Sequence, residues 1–585
     1  MRPSLFLFRL FRFLLPPCVI LTVCLYFYPV LYGCAFPAPQ YASPEPSTCF
    51  LAPSARQEPP KPTTAQARVA PFRLLVFGDP QLEGDSSLPN PDDAVFPSLH
   101  ATWEDLSARK YSKTLDGAGD ALRVLLQDDV PKLFRSSRKR LDLLGNDYYL
   151  AHIYRTLHWW TQPTHVTVLG DLLGSQWISD AEFQRRSWRF WHRVFRHARK
   201  VDATITSASH TEILGADPGW ARRVINVAGN HDVGYAGDLD VARVARFERE
   251  FGAVNWDVSF AHPLASPAAA AAAANDTNPS SLPDALGNAP SIRLVVLNSM
   301  NLDTPALAPS LQTATYDFLN AVIRTLPPVS DRRTLTVVLT HIPLHKAAGV
   351  CPDAPSFDFF PSGQGGGIKE QNHISAQISR SAILEGVFGV SGNSAAEEGG
   401  RGRSGIVLTG HDHEGCDVYH HLPHGVEGEE RAWRAVRWGE AGALVADEGV
   451  PGIREITLRS MMGEYGGYAG LVSAWFDEAA GEWRVDVATC ALGVQHVWWA
   501  VHVADLVVAL LGLGALLALL WEWRIEGAAR GKANGVKPAE VSEAAKGVDG
   551  SLDAAGPEGV PRGDAAPGDG KMQHGELRSQ LLKDW

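Results

Sequence analysis

The sequence predicts an α/β domain held between two long apolar helices. Short, nearly continuous runs of β-branched and aliphatic residues alternate with helical patterns, as in layered folds whose strands are buried on both faces. A polar cluster follows most of these runs, and two much longer apolar runs lie towards the two ends of the chain. These three observations together favour one large globular domain with an apolar helix on either side.

Six short apolar runs are predicted to be strands, and further strands and helices are expected around them. The six runs are 72–78, 165–170, 223–229, 292–298, 335–340 and 405–410. Helical patterns occur around 132–160, 180–200 and 239–251. Later strands are expected near 431–437, 470–476 and 483–489, where they would complete a second sheet. The expected architecture is a β-sandwich flanked by helices.

The first apolar run, 13–36, contains no charged residue. Since about 20 apolar residues cross the hydrocarbon core, it is predicted to be a transmembrane helix. Arg2, Arg9 and Arg12 precede it and would hold residues 1–12 in the cytosol. A cleaved signal peptide is the alternative, although this run is longer than the roughly 7–15 residues of a signal core.

The second apolar run, 497–521, is bracketed by tryptophans as at a membrane interface. Basic residues follow it: Arg524, Arg530, Lys532 and Lys537. They predict a cytosolic side again, so both termini would be cytosolic and the segment between the helices lumenal. A buried core helix is the alternative interpretation.

The rest of the chain falls into regions of different composition. Residues 37–71 are rich in proline and predict a lumenal stalk, and 72–495 form the folded domain. A low-complexity insert is predicted near 262–290, with a glycosylation sequon at Asn275. Residues 522–585 predict a disordered cytosolic tail. The net charge of -12 argues against a nucleic-acid partner, which usually calls for a basic face.

The seven cysteines show no CxxC pair, which makes a zinc knuckle a poor interpretation. Cys18, Cys24 and Cys34 belong to the first apolar segment. The four others are spread along the chain and could form one or two disulfides in an oxidising lumen, with the pairing left open: Cys49, Cys351, Cys416 and Cys490.

Five of the six predicted strands end in residues that can hold a metal ion. Ligand sites of α/β folds gather at the carboxyl ends of strands. The strand ends read Gly78-Asp79-Pro80-Gln81, Gly170-Asp171, Gly229-Asn230-His231-Asp232, Thr340-His341 and Gly410-His411-Asp412-His413. Carboxylate, amide and imidazole ligands suit divalent ions such as manganese, iron or zinc. Each motif alone is a weak signal, but packing needs hardly explain all five in this order.

This ordered set resembles the calcineurin-like metallophosphoesterases, whose pattern is D-x-H, G-D, G-N-H-[D/E], H and G-H-x-H; the likeness covers about 72–415. The resemblance implies two divalent metal ions, manganese first, with iron or zinc as alternatives. Asp79, Gln81, Asp171 and His413 would hold one ion. Asp171, Asn230, His341 and His411 would hold the other. His231 would be the catalytic acid that protonates the leaving group.

Two positions depart from the family pattern. Gln81 stands where the wider family has histidine, and a neutral amide is a poorer ligand than imidazole. Gly174 stands where many members carry an acid that orients the catalytic histidine. Asp232 or Asp180 could substitute for that acid.

The first motif, the second motif GDLLGSQW and the two flanking helices resemble the eukaryotic branch that remodels glycosylphosphatidylinositol (GPI) anchors. That resemblance implies a phosphodiesterase that removes ethanolamine phosphate from the glycan, acting on GPI-anchored proteins or a glycolipid at the endoplasmic reticulum or early Golgi membrane. Candidate substrate-binding residues are His345, Arg459, Glu464 and Tyr465. The alternatives are a phosphoesterase for a phospholipid head group, nucleotide or phosphoprotein, and a non-catalytic trafficking factor for GPI cargo.

Overall fold

The computed structural model describes residues 2–39, 69–84, 95–108, 119–262, 289–393, 395–422, 432–446 and 450–533. They fall into two compact units, Phe8–Gly512 and a smaller one of Met1–Leu7 with Leu513–Trp585. Cys49, Asn275, nearly all of the insert and most of the predicted stalk and tail lie outside the described residues.

Strands and helices alternate along the larger unit. The strands are β1 (Phe72–Phe77), β2 (His165–Val168), β3 (Arg199–Lys200), β4 (His210–Ile213), β5 (Arg223–Asn226), β6 (Trp256–Ala261), β7 (Ser291–Val296), β8 (Thr334–Leu339), β9 (Phe357–Phe359), β10 (Ile368–Gln371), β11 (Gly405–Thr409), β12 (Cys416–His421), β13 (Arg434–Arg437), β14 (Gly452–Thr457), β15 (Tyr468–Asp477) and β16 (Glu482–Ala491). The α-helices are α1 (Pro3–Tyr26), α2 (Tyr28–Leu31), α3 (Pro97–Ser107), α4 (Val130–Thr161), α5 (Asp180–Arg189), α6 (Ala203–Thr206), α7 (Asn230–Val233), α8 (Val241–Phe251), α9 (Pro309–Thr325), α10 (Ala376–Ile378), α11 (Gly442–Ala446) and α12 (Gln495–Ala533).

Shorter helical turns complete the chain. Wider π-helical turns at Leu125–Asp129, Phe190–Val194 and Ser379–Val387 adjoin α4, α5 and α10. The 3-10 turns are Pro218–Arg222, Ser299–Asn301, Ser362–Gln364, Glu397–Gly400, Trp438–Glu440 and Gly463–Tyr465.

Two mixed sheets form the framework, which confirms the α/β class. One sheet has the strand order β16-β15-β1-β2-β5-β3, and the other β13-β12-β14-β11-β8-β7-β6-β4. Within the first, β1, β2 and β5 are parallel neighbours. Within the second, β7, β8 and β11 are parallel neighbours. The six strands predicted first are therefore divided equally between the two sheets.

The three late strands do not complete a second sheet together: one of them joins the second sheet, and the expectation was wrong for the other two, which join the first. β15 pairs antiparallel with β1 and with β16, so both late strands extend the first sheet. β13 instead forms an edge of the second sheet, beside β12. Sequence patterns report whether a strand is buried but not which partner it pairs with, since pairing depends on contacts far apart in the chain.

Alternation along β1 shows how the layers pack. Phe72, Leu74 and Val76 point into the apolar cluster between the two sheets. Leu75 and Phe77 point the other way, into the larger cluster that includes residues of α4. Because successive side chains of a strand face opposite sides, one strand serves both layers. The result is a sandwich of two sheets with helices on the outside.

α1 and α12 are the described helices long and apolar enough to cross a membrane. α1 begins before the predicted span 13–36 and ends within it, and α12 continues past the predicted span 497–521, so residues 522–533 are helical. In the smaller unit, the Ser4 hydroxyl donates to Glu522 at 2.6 Å and Arg2 pairs with Glu526 at 2.7 Å.

Two disulfides join described cysteines of the larger unit. Cys351 bonds to Cys416, and Cys34 bonds to Cys490. The sequence places Cys34 in the first apolar segment. In the structure it lies beyond α1 and bonds to Cys490 near the end of β16. This bond ties the chain that leaves α1 to the strand that leads into α12.

A buried ion cluster holds the loop after β8 in place. Glu455 on β14 is fully buried and its carboxylate lies 2.9 Å from Lys346 Nζ and 2.6 Å from His420 Nε2. Its other oxygen accepts the Leu344 backbone N–H at 2.8 Å. Burial opposes ionisation of Glu455, but Lys346 and His420 outweigh it and lower its pKa to about 2. The chain that follows His341 is thereby fixed to β14.

We expect Glu455→Gln to reduce the free energy of unfolding by about 3–5 kcal/mol, because Lys346 would remain charged and buried without its partner. Urea unfolding of the detergent-solubilised protein measures this change. The matched control is Glu478→Gln at an exposed position, which should have little effect. Equal stability of the two variants would contradict the assigned role of the cluster.

Candidate metal centre

The loops that follow β1, β2, β5, β8 and β11 meet at one place. Asp79, Asp171 and Asn230 come from the first sheet, whereas His341 and the His411–His413 pair come from the second. Each loop begins where a parallel strand ends, so the carboxyl edges of both sheets converge here. All seven predicted ligands are thus brought to a single region.

The backbone is strained at these loops. Asp79, Gln81, Asp171 and His411 adopt positive φ angles of 41°, 38°, 48° and 74°. Such a conformation costs a side-chain-bearing residue on the order of 1–3 kcal/mol and persists only where its surroundings enforce it. It occurs at four of the seven predicted ligands, as is typical of functional sites.

Glycine allows two of these loops to approach one another. A Cβ at Gly229 would collide with the backbone nitrogen of Asp171. A Cβ at Gly170, whose φ is 99°, would collide with the His341 ring. The glycine that precedes each motif therefore brings the loops of β2, β5 and β8 into contact.

The Asp171 carboxylate lies at the centre of the polar contacts. One oxygen accepts the His231 backbone N–H at 2.8 Å and lies 3.3 Å from His341 Nε2. The other accepts from Gln81 Nε2 at 3.0 Å. Asp171 is 1% exposed, so its charge is almost completely removed from water.

Two groups of potential metal ligands share this carboxylate. Asp171, His341 and His411 form one group, and Asp79, Asp171 and His413 form the other; in each, the ligand atoms lie within 4.8 Å of one another. Asn230 adds to the first group, since its Oδ1 lies 3.0 Å from His341 Nε2. Gln81 adds to the second, since its Nε2 lies 3.0 Å from His413 Nε2. The arrangement offers two neighbouring positions for cations.

Three hydrogen bonds orient the imidazoles. His341 Nδ1 lies 2.7 Å from the Leu169 carbonyl, which leaves Nε2 towards Asp171. His411 Nε2 lies 3.0 Å from the Gln371 carbonyl, which leaves Nδ1 as the ligand atom. His413 Nδ1 lies 3.3 Å from the Tyr465 hydroxyl. Outer contacts of this kind fix the ring orientation of metal-binding histidines.

Burial and the charges of neighbouring groups shift the pKa values of these side chains. Burial raises the pKa of Asp79 to about 8, although His341 opposes the rise. Burial also lowers the pKa of His411 to about 3, which keeps its imidazole neutral. For Asp171 burial is outweighed by His341 and His231, so its pKa is lowered. A divalent cation needs donors such as carboxylates and a neutral imidazole, and this buried site supplies them. The residues present therefore fit two such ions.

His231 differs from its neighbours in facing outward. Its side chain is 36% exposed, whereas that of His341 is 0% exposed, and its Nε2 lies 3.8 Å from Asp171 Oδ2. Its Nδ1 is buried and has no hydrogen-bond partner among the described residues. The backbone N–H bond to Asp171 anchors this residue, and the imidazole is directed to the open side of the site.

Neither acid suggested to orient His231 does so. The Asp232 carboxylate accepts the backbone N–H groups of Gly229, Leu172 and Leu173 at 3.0–3.1 Å, and therefore ties the loops after β2 and β5 together. Asp180 begins α5 and pairs with Arg246 at 3.3 Å. Gly174 donates its N–H to the Leu82 carbonyl and packs against the first motif, with its Cβ position 3.4 Å from the Gln81 carbonyl oxygen.

Of the candidate substrate residues, Tyr465 contacts a predicted ligand. Its ring lies 5.1 Å from the His413 ring. Arg459 pairs with Glu414 at 3.1 Å, Glu464 is exposed, and the His345 ring packs 6.4 Å from His373. Sequence reasoning missed Gln371, which orients His411, and Tyr235, whose ring lies 6.2 Å from the His411 ring. No local motif marks either residue.

Comparisons with known proteins agree with this geometry. No family model matches the chain. Protein TED1 of Saccharomyces cerevisiae is 31% identical over 63% of this chain and 76% of its own length. An uncharacterized protein of Schizosaccharomyces pombe is 27% identical over 64% of this chain and 80% of its length.

A shorter stretch matches Metallophosphoesterase 1 of Mus musculus, 30% identical over 19% of this chain and 23% of that protein. The ordered motifs, the paired ligand groups and these relatives agree on one chemistry. The chain belongs to the calcineurin-like metallophosphoesterases, in the family of Protein TED1, and is a metal-dependent phosphoric ester hydrolase.

Proposed function

We propose that this protein is a two-metal phosphodiesterase that removes ethanolamine phosphate from the glycan of GPI anchors in the early secretory pathway. The observation that carries the reaction class is the pair of ligand groups that share Asp171, with His231 beside them on the open face. The substrate class rests on family membership and on the resemblance of the first two motifs and flanking helices to the GPI-remodelling branch.

The predicted ligands would form two cation sites. Asp79, Gln81, Asp171 and His413 would hold one cation, and Asp171, Asn230, His341 and His411 the other. Divalent cations at such a site neutralise phosphate charge and lower the pKa of water, with manganese, iron and zinc all compatible with these donors. The Gln81 amide would turn by 180° to present Oε1, because its nitrogen cannot act as a ligand.

His231 would donate a proton from Nε2 to the leaving alkoxide oxygen. It meets the geometric requirement because it is anchored by its backbone to Asp171 while its ring remains accessible. A sugar alkoxide is a poor leaving group, so protonation at this step contributes roughly 10²–10⁴-fold.

The charges and the disulfides support the proposed placement in the membrane. Basic residues flank the outer ends of both apolar runs, which favours cytosolic termini and a lumenal catalytic unit. Two disulfides within that unit agree with an oxidising lumen. The active site would thus lie on the face of the membrane that carries GPI glycans, at the endoplasmic reticulum or early Golgi.

Asp171→Asn should lower both metal content and hydrolysis, because it removes the charge shared by the two ligand groups. Loss of an outer-shell partner costs about 10–100-fold, so loss of this ligand should exceed about 100-fold. Elemental analysis and phosphodiester turnover measure the two effects. Asp180→Asn, whose side chain is 82% exposed, is the matched control and should keep both. Full metal content and activity in Asp171→Asn would exclude the assigned role.

His231→Ala should retain its metal, since the residue contributes a backbone contact that alanine preserves. Turnover of an alkyl phosphodiester should fall by roughly 10²–10⁴-fold. A p-nitrophenyl phosphodiester should lose far less, because its leaving group needs no proton. Steady-state kinetics on both esters make the comparison, and equal losses on the two would rule out proton donation by His231.

The substrate class is tested with purified full-length protein loaded with manganese. Release of ethanolamine phosphate from a mannoside glycan should exceed hydrolysis of nucleotides, phospholipid head groups and phosphopeptides by about 10-fold or more in kcat/KM. A preference for another ester would replace the GPI assignment. Rescue of a deletion strain by Asp171→Asn as efficiently as by wild type would favour the non-catalytic trafficking factor.

A further inference from the structure

A cavity lies at the junction of three helices, α1, α4 and α12. It has a volume of about 560 Å³ and is lined by the end of α1, the C-terminal half of α4 and the first turns of α12. We call it the helix-junction cavity and define it by Tyr26, His152, Arg155, Trp159, Trp498 and His502, which line it. Its volume falls within the roughly 300–1,000 Å³ of small-molecule sites.

Two buried side chains that line this cavity each have one ring nitrogen without a partner among the described residues. His152 is 5% exposed and Trp498 is 8% exposed. Neither His152 Nε2 nor Trp498 Nε1 has a hydrogen-bond partner among the described residues. The Thr156 hydroxyl lies 3.2 Å from His152 Nδ1, and donation by that hydroxyl leaves the proton on Nε2. Unpartnered buried donors are rare in native proteins, and both of these belong to side chains that line the cavity.

The charge of the residues that line the cavity also favours a ligand that accepts hydrogen bonds. Arg155 borders the cavity and uses one N–H to bond the Arg193 carbonyl at 2.8 Å, out of the five that a guanidinium carries. No acidic residue is among the described residues that line the cavity. Burial and the nearby His502 lower the pKa of His152 to about 4, so this ring is a neutral donor. Guanidinium, indole and imidazole N–H groups together match a phosphate.

The position of the cavity suggests where that phosphate comes from. Tyr26 ends α1, and its hydroxyl bonds His502 Nε2 on α12 at 3.0 Å. One turn further along both helices, the Thr22 hydroxyl donates to the Asp505 carboxylate at 2.9 Å, which holds them side by side. Tyr26 and Trp159 are 41% and 55% exposed. Exposed aromatic rings beside apolar helices are typical of the membrane interface.

We propose that the helix-junction cavity binds one anionic membrane phospholipid, with its head-group phosphate on Arg155, His152 and Trp498. The inference rests on the membrane placement proposed above but not on the catalysed reaction. The aromatic rings would cover the glycerol region, and the acyl chains would run along α1 and α12. A net negative head group is favoured over a zwitterionic one, because the lining supplies a cation and no carboxylate.

Contacts also connect this cavity with the catalytic site. The Trp498 ring packs 6.4 Å from the Tyr149 ring on α4, and Tyr149 donates to the Gly493 carbonyl at 2.6 Å. Tyr149 also lies against Gly467, two residues after Tyr465, which contacts His413. A lipid bound here would fix the distance of the metal centre from the bilayer surface.

Native mass spectrometry of the full-length protein, released from neutral detergent micelles, tests the proposal. The micelles are titrated with phosphatidylinositol, phosphatidylcholine or water-soluble inositol phosphate. Wild type should retain one phosphatidylinositol, and Arg155→Gln should weaken retention by about 10-fold or more. Trp498→Phe keeps an aromatic ring and loses one donor, so it should show a smaller loss. Arg138→Ala, on the same helix and 85% exposed, should behave as wild type.

Several outcomes would overturn the proposal. Equal retention by wild type and Arg155→Gln would exclude the phosphate contact. Equal retention of phosphatidylcholine would exclude charge selection, and inositol phosphate bound as tightly as the lipid would indicate a soluble ligand. Hydrolysis of a water-soluble phosphodiester should be unchanged in Arg155→Gln. Absence of that hydrolysis in wild type would contradict the proposed function while leaving the lipid result intact.

Discussion

The Asp171 carboxylate is the contact on which the two halves of the domain converge. It follows β2 of the first sheet and meets His341 from the second sheet, His231 from the loop after β5 and Gln81 from the loop after β1. Its backbone stays in a left-handed conformation that only surrounding contacts can maintain. Gly170 before the motif and Asp232 behind it supply those contacts. The same contacts therefore determine both the packing of the sheets and the geometry of the site.

The burial of two carboxylates at the metal centre has an energetic consequence for the whole domain. Asp79 and Asp171 are withdrawn from water, and isolated buried carboxylates are costly unless a cation or hydrogen bonds compensate. A divalent cation that binds only the folded arrangement therefore stabilises it, which couples metal loading to folding. The Lys346–Glu455–His420 cluster follows another route, since its charges compensate each other within the protein.

The attachment of the two apolar helices is equally specific. The Cys34–Cys490 disulfide and the bond from Trp160 Nε1 to the Cys34 carbonyl join the chain after α1 to β16 and α4. α4 runs from this junction past Tyr149, which contacts the turn that carries Tyr465. The same helix therefore supports both the helix-junction cavity and one wall of the metal centre. Such shared support suits the membrane-held substrate proposed for this enzyme.

The sequence by itself determined the α/β class, the strands that end in ligands, the ordered motif set and the two apolar helices. These features are local, because burial periodicity and strand-end chemistry are written in neighbouring residues. Tertiary structure alone decided which sheet each strand joins, that Cys34 pairs with Cys490, and that Gln371 and Tyr235 support His411. It also left His231 without an orienting acid among the described residues. Those outcomes depend on contacts between residues far apart in the chain, whose geometry no local pattern encodes.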